Sequence, residues 1–128
     1  MAIAKTFQDL EVWKIGRSLR RKLYEITKTL PTHERYNLAG QIRAAAISLT
    51  SNIAEGFGRF HYKENVQFCR IARGSACEAR DHLLTCLDER YISSGQYQEL
   101  DQELTTFLRT LNAYIKSIGS SKTFPDAE

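Results

Sequence analysis

The run Ala44-Ala45-Ala46-Ile47-Ser48-Leu49-Thr50-Ser51-Asn52-Ile53-Ala54 carries no charged side chain and is closed by Glu55 and Gly56. It belongs to a segment in which Leu38, Ile42, Ala45, Leu49, Ile53 and Gly56 recur at steps of three and four, the period of a helix. A helix on the surface of a small domain keeps a polar face for water, and this one has no charge to offer on any side. A small bundle covers one stripe of a helix and seldom its whole circumference. The segment therefore predicts subunit association as well as core packing, with Ile47 at the outer edge of its apolar arc.

Three further segments share the period. The first has Val12, Gly16, Leu19, Leu23, Ile26 and Leu30 and stops at Pro31. The third has Phe68, Ala72, Ser75, Ala79, Leu83 and Cys86, and the fourth Leu100, Leu104, Phe107, Leu111, Tyr114 and Ile118. Ser93 and Gln96 are spaced as a capping box for the fourth. Short connections around Pro31, Gly58 and Ser93 force neighbours to run antiparallel, which predicts an all-α fold, an antiparallel up-down-up-down four-helix bundle. The 128 residues make one domain, with the bundle over 7–118 and a loose tail over 119–128.

Residues 1–7 lack the apolar core of a secretory signal and no run approaches a membrane span, so the expected location is the cytoplasm, with no membrane partner. Cys69, Cys77 and Cys86 make an odd count on one predicted helix without metal-ligand spacing, and are expected to be reduced and buried rather than in disulfides or a zinc site.

Charge is unevenly distributed. Residues 1–64 hold 11 basic and 6 acidic side chains, whereas residues 65–128 hold 7 basic and 9 acidic ones. At about 100° per residue, Lys14, Arg17, Arg21 and Lys28 share an arc of roughly 60° opposite the core stripe of the first helix. Arg20 flanks this ridge, and i,i+4 spacing lets Trp13 meet Arg17 and Arg20 meet Tyr24. A ridge of one sign without Glu partners, with aromatic neighbours, suits a phosphate backbone. The alternative is an ordinary solvated face, with Trp13 packed against another helix or subunit. Arg59, His61, Lys63, Arg70 and Arg73 around the second connection extend the basic surface.

A second set of polar residues lies close to the expected core. Glu34, Gln41, Ser48, Asn52 and Glu55 share a shoulder of the second helix, while Ser75, Glu78 and His82 lie on or beside the stripe of the third. Buried polar groups must pair, so a cluster around Asn52, Glu55, Ser75 and Glu78 is expected to fix helix or subunit register, with Gly56 and Gly74 allowing close backbone approach. A functional pocket is the alternative. Catalysis is not expected. A di-metal bundle site needs two Glu-x-x-His motifs, and only Glu78-x-x-x-His82 comes near. No orienting third group sits near the cysteines and His82, and Gly56-Phe57-Gly58-Arg59 lacks the strand and lysine of a phosphate loop. No metal or cofactor is implied.

Ser51-Asn52-Ile53-Ala54-Glu55-Gly56 followed by Ala72-Arg73-Gly74-Ser75-Ala76-Cys77-Glu78 resembles the paired signature of small bacterial proteins known as four helix bundle proteins, or the large-subunit rRNA intervening-sequence protein family. Phe7, Leu10, Val12 and Trp13, then Leu30-Pro31, Glu34, Leu38 and Gln41-Ile42-Arg43, and Tyr91-Ile92 extend the resemblance over roughly 7–118. The resemblance implies an antiparallel four-helix bundle, a ring-like pentamer and a basic surface for nucleic acid. It is similar also to accessory proteins of diversity-generating retroelements, which partner a reverse transcriptase. The expected function is thus that of a non-catalytic homo-oligomer binding RNA or DNA through its basic surface without strong sequence preference. The runner-up is a scaffold that docks a protein such as a reverse transcriptase.

Overall fold

The computed structural model describes residues 3–120. Its helices are α1 (Glu11–Thr29), α2 (Leu38–Gly58), α3 (Tyr62–Asp88) and α4 (Ser94–Ser120). Short 3-10 turns at Phe7–Asp9 and Thr32–Glu34 precede α1 and α2. α1 stops because Leu30, held extended before Pro31, cannot continue the helical path. α4 starts on the expected box: the Ser93 amide donates to Gln96 Oε1 at 2.8 Å, and the Gln96 amide to Ser93 Oγ at 3.1 Å. α4 runs through Ser120, two residues past the expected end of the bundle. The rest of the expected tail, 121–128, lies outside the described residues.

Each helix packs on its neighbour in sequence, and α4 closes the square against α1. The result is the expected all-α, antiparallel up-down-up-down bundle. Leu19, Leu23, Ile42, Leu49, Ile53, Leu83, Leu104, Phe107 and Leu111 are wholly buried on its axis. Burying a leucine of this kind contributes about 1.5–3 kcal/mol. No described helix is long and apolar enough to cross a membrane.

The α2–α3 seam is the most extensive, because α3 faces α2 largely with small side chains. Its buried row is Asn65, Cys69, Ala72, Ala76, Ala79, Leu83 and Cys86, with Ser75 to one side. The expected stripe through Phe68 is displaced by one position at its start, and Phe68 itself is only half-buried. Cys69 takes its place, and Asn65, 1% exposed, extends the row by one turn. Asn65 donates Nδ2 to the Tyr114 hydroxyl of α4 at 3.2 Å and accepts a thiol contact from Cys69 at 3.7 Å. Burial pushes the Tyr114 hydroxyl up to about 12 and the Cys69 thiol up to about 12. Directly beneath lies Gly56, where a Cβ would sit 2.7 Å from Asn65 Oδ1 and 2.9 Å from Phe68 Cβ. Gly16 allows a second close approach, with a Cβ there 3.0 Å from the Phe107 ring and 3.1 Å from the Thr50 methyl.

Glu34 departs from its expected place on α2. It belongs to the turn before α2, where it accepts from the Tyr91 hydroxyl at 2.9 Å and from Asn37 Nδ2 at 3.3 Å. The Tyr91 bond holds the Glu34 carboxyl below its ordinary range and raises the Tyr91 hydroxyl. One hydrogen bond thereby ties the α1–α2 connection to the α3–α4 connection at one end of the bundle.

Candidate nucleic-acid interface

A helix that buries Val12, Leu19, Leu23 and Ile26 turns its opposite side to water, and in α1 Lys14, Arg17, Arg21, Lys22 and Lys28 are the larger part of that exposed face. Lys14, Arg17, Arg21 and Lys28 are all exposed. Lys14, Arg17, Ser18, Arg21, Lys22 and Glu25 line a shallow open groove along this face. The Arg17 guanidinium lies 5.8 Å from the Trp13 ring centroid. Trp13 itself is 8% exposed and meets Phe7 edge to face at 5.2 Å. It is a packing residue that lends one ring face to Arg17, within the subunit rather than across an interface.

The ridge carries less free charge than its sequence predicts. Lys28 bonds Glu25 at 2.9 Å, an i,i+3 pair that breaks the expected run of one sign. Lys22 is held by Glu103 of α4. Arg20 is half-buried and sends Nη1 to Thr50 Oγ1 at 2.7 Å, so its guanidinium goes to α2 rather than to Tyr24. Lys14, Arg17 and Arg21 stand without a hydrogen-bonded carboxylate among the described residues and form the open part of the stripe. A second shallow groove, lined by Arg20, Arg21, Tyr24, Glu25 and Ile47, separates the stripe from the outer face of α2.

Arg59 and Lys63 flank the α2–α3 connection, at the end of the bundle where α1 begins. Arg59 pairs with Glu55 at 3.2 Å and stands 5.2 Å from the Phe68 ring centroid, while Lys63 Nζ is 5.9 Å from that of Tyr62. Between them Phe60 has φ of 54° and is 63% exposed, an unusual backbone for a bulky side chain. No sequence pattern marks Phe60 as a surface residue in this conformation.

The polar seam assembles only in part. Ser48 Oγ and Ser75 Oγ share a 2.6 Å hydrogen bond, and Asn52 Nδ2 donates to the Ser48 carbonyl at 3.0 Å and hydroxyl at 2.7 Å. Glu55 lies outside this cluster, exposed and bonded to Arg59. Glu78 is exposed as well, with His82 Nε2 3.7 Å from its carboxylate. The sequence places Glu55 on a shoulder of the second helix and Glu78 on or beside the stripe of the third; within the subunit both carboxylates lie on the open flank of the seam, where they keep their water and need no buried partner. Gly56 is a close approach as expected. A Cβ added at Gly74 would meet nothing within 4 Å, so Gly74 serves no such contact within the subunit.

Ile47 is 47% exposed, beside exposed Ala44 and Ser51 on α2. Cys69 and Cys86 are buried free thiols, Cys86 pushed up to about 11 by burial and by the nearby Glu34 charge. Cys77 is exposed, against the expectation of burial, because it falls on the outer side of α3. Among the described residues no group of three or more His, Cys, Asp or Glu side chains is placed to hold a metal ion.

An antiparallel four-helix bundle with a basic outer stripe on its first helix is the class these features define. The chain belongs to the 23S rRNA-intervening sequence protein family, whose model matches residues 8–113. Among solved structures it is similar to the crystal structure of a protein of unknown function from the S23 ribosomal protein family of Bacteroides thetaiotaomicron. The two share 21% identity, the match covers 82% of this chain and 98% of that one, and the TM-score is 0.75, which bears on the fold. No curated protein matches the chain.

Proposed function

We propose that the protein is a non-catalytic, oligomeric accessory protein of the cytoplasm that binds RNA or DNA through the α1 stripe, with little sequence preference. The observation that carries this is the groove in which Lys14, Arg17 and Arg21 face solvent without a bonded carboxylate. Three cations at helical spacing along one edge suit contacts to phosphates, and the described surface offers no groove-reading motif. The family's link to rRNA favours nucleic acid as the partner. Association of subunits is supported by the small, uncharged outer face of α2, and would repeat the stripe so that weak contacts sum.

The test is the salt dependence of binding. Each phosphate contact gives a slope of about −0.7 in log affinity against log salt on single strands, and about −0.9 on duplex. The double variant Arg17→Gln, Arg21→Gln is expected to bind more weakly at low salt, with the slope on single strands shallower by about 1.4. Unchanged affinity and slope would reduce the stripe to a solvated face. Tight binding of a protein partner such as a reverse transcriptase, with none of free RNA or DNA, would give the scaffold reading instead.

A further inference from the structure

At the end of the bundle opposite Arg59 and Lys63, the last turn of α1, the connection from Leu30 to Arg35 and the first two turns of α2 line a recess of about 320 Å³. Pro31 and Ala39 form apolar wall, and Lys28, Thr32, Arg35 and Arg43 supply its polar lining. The charge there is unbalanced. Arg43 is half-buried, and among the described residues the one hydrogen bond of its guanidinium is a long one, 3.4 Å from Nη2 to the Arg35 carbonyl. The Arg35 guanidinium lies 5.9 Å from the Tyr36 ring. Neither guanidinium meets a carboxylate among the described residues, and the partner of Lys28, Glu25, stands exposed outside the recess. Glu34, the nearest acid in sequence, is committed to Tyr91 and Asn37.

A guanidinium taken partly out of water loses solvation that a bound anion restores, and its fork matches phosphate oxygens in pairs. A phosphate monoester carries a charge of about −1.5 to −2 at pH 7, the charge that two unpaired arginines call for, whereas a backbone diester carries less. The recess is larger than a bare phosphate needs and leaves room for the attached sugar. Lys28 belongs to both the recess and the α1 stripe, and lies about 21 Å from Lys14 along the helix axis. The geometry points to a phosphate-monoester site in the α1–α2 recess, held by Arg35 and Arg43, taking either the phosphorylated end of a strand laid along α1 or a free nucleotide. Only the strand-end source rests on the nucleic-acid function proposed above.

Fluorescence anisotropy with single-stranded RNA of one sequence, carrying either a terminal phosphate or a hydroxyl, reads the first source, and direct titration with AMP reads the second. The phosphorylated end is expected to bind about tenfold more tightly, the yield of one charge-assisted hydrogen bond. Arg35→Gln with Arg43→Gln is expected to abolish that preference and leave the salt slope of the hydroxyl-ended strand intact. Arg17→Gln with Arg21→Gln is expected to do the reverse. Arg35→Gln alone, at an exposed turn residue, gives the same result in weaker form and guards against misfolding of the pair. AMP binding that is lost in Arg35→Gln, without an end preference, also upholds the site and assigns it to free nucleotides, even if the stripe binds no strand. Equal affinity for both ends together with no AMP binding, or a preference that survives both arginine substitutions, would overturn the proposal.

Discussion

The outer faces of α1 and α2 lie side by side and are solvated in opposite ways. α1 shows water Lys14, Arg17 and Arg21, while α2 shows it Ala44, Ile47 and Ser51. Beneath the surface the two helices do the same work, since Leu19 and Leu23 on one and Leu49 and Ile53 on the other are wholly buried. The difference teaches that core packing leaves the outer face free to vary, so its composition reports on what the subunit meets. Long charged side chains are favoured where only water or a polyanion lies opposite. Short uncharged ones cost little there only if another surface comes to cover them.

The comparison breaks most visibly between the inner and outer sides of α2. Leu49→Ala is expected to cost about 2–5 kcal/mol in chemical denaturation, as a buried truncation that leaves a cavity. Ile47→Ala, at an exposed site two residues earlier, is expected to change subunit stability by less than about 0.5 kcal/mol. Gly56→Ala should cost about 1–3 kcal/mol, because the new methyl meets Asn65 and Phe68, and Asn65 is pinned by Tyr114. Ile47→Asp is expected to leave helicity by circular dichroism unchanged while raising the concentration needed for assembly in sedimentation by about tenfold or more, since an unpaired charge would be buried. A wild-type chain that sediments as a monomer at micromolar concentration would break the α2 half of the comparison.

Acid sharpens a second contrast, that between the stapled end of the bundle and its outer faces. The Glu34 carboxyl is held below its ordinary value of 4.5 by the Tyr91 hydroxyl. Its contribution to stability is therefore full above about pH 4.5 and is lost as pH falls through the lowered value. Glu34→Gln is expected to flatten the loss of stability in that acid window, leaving the share of Asp9, which is lowered by the amides of Lys5 and Thr6. The smallest effect on folding belongs to the α1 stripe: Arg17→Gln with Arg21→Gln should shift stability by no more than about 0.5 kcal/mol, however much it changes the salt slope of binding.

The helices were legible in the sequence because burial repeats with their period, and Leu38 to Gly56 and Leu100 to Ile118 fall on the expected stripes. Asn65 was not, since a polar residue in a core row breaks the pattern, and the hydroxyl that takes its amide proton belongs to Tyr114, 49 residues away. The Glu34 to Tyr91 bond and the Arg20 to Thr50 bond escape for the same reason: each joins residues whose proximity only the assembled bundle creates. The Lys28 pair with Glu25 is of another kind, because its i,i+3 spacing is local and already present in the sequence.

The closing of the square by α4 against α1 has a consequence for how the four helices are strung together. With an even number of antiparallel helices, α1 begins and α4 ends at the same end of the bundle, on adjacent corners. The helices thus form a circuit, and the chain is one path around it opened at a single corner. A rearranged gene that joined α4 to α1 through a short polar linker, and opened instead between Gly58 and Tyr62, would visit the same neighbours in the same directions. Such a re-cut chain keeps every lateral contact of the original, and makes the α2–α3 corner, where Phe60 now turns, the place at which new ends emerge.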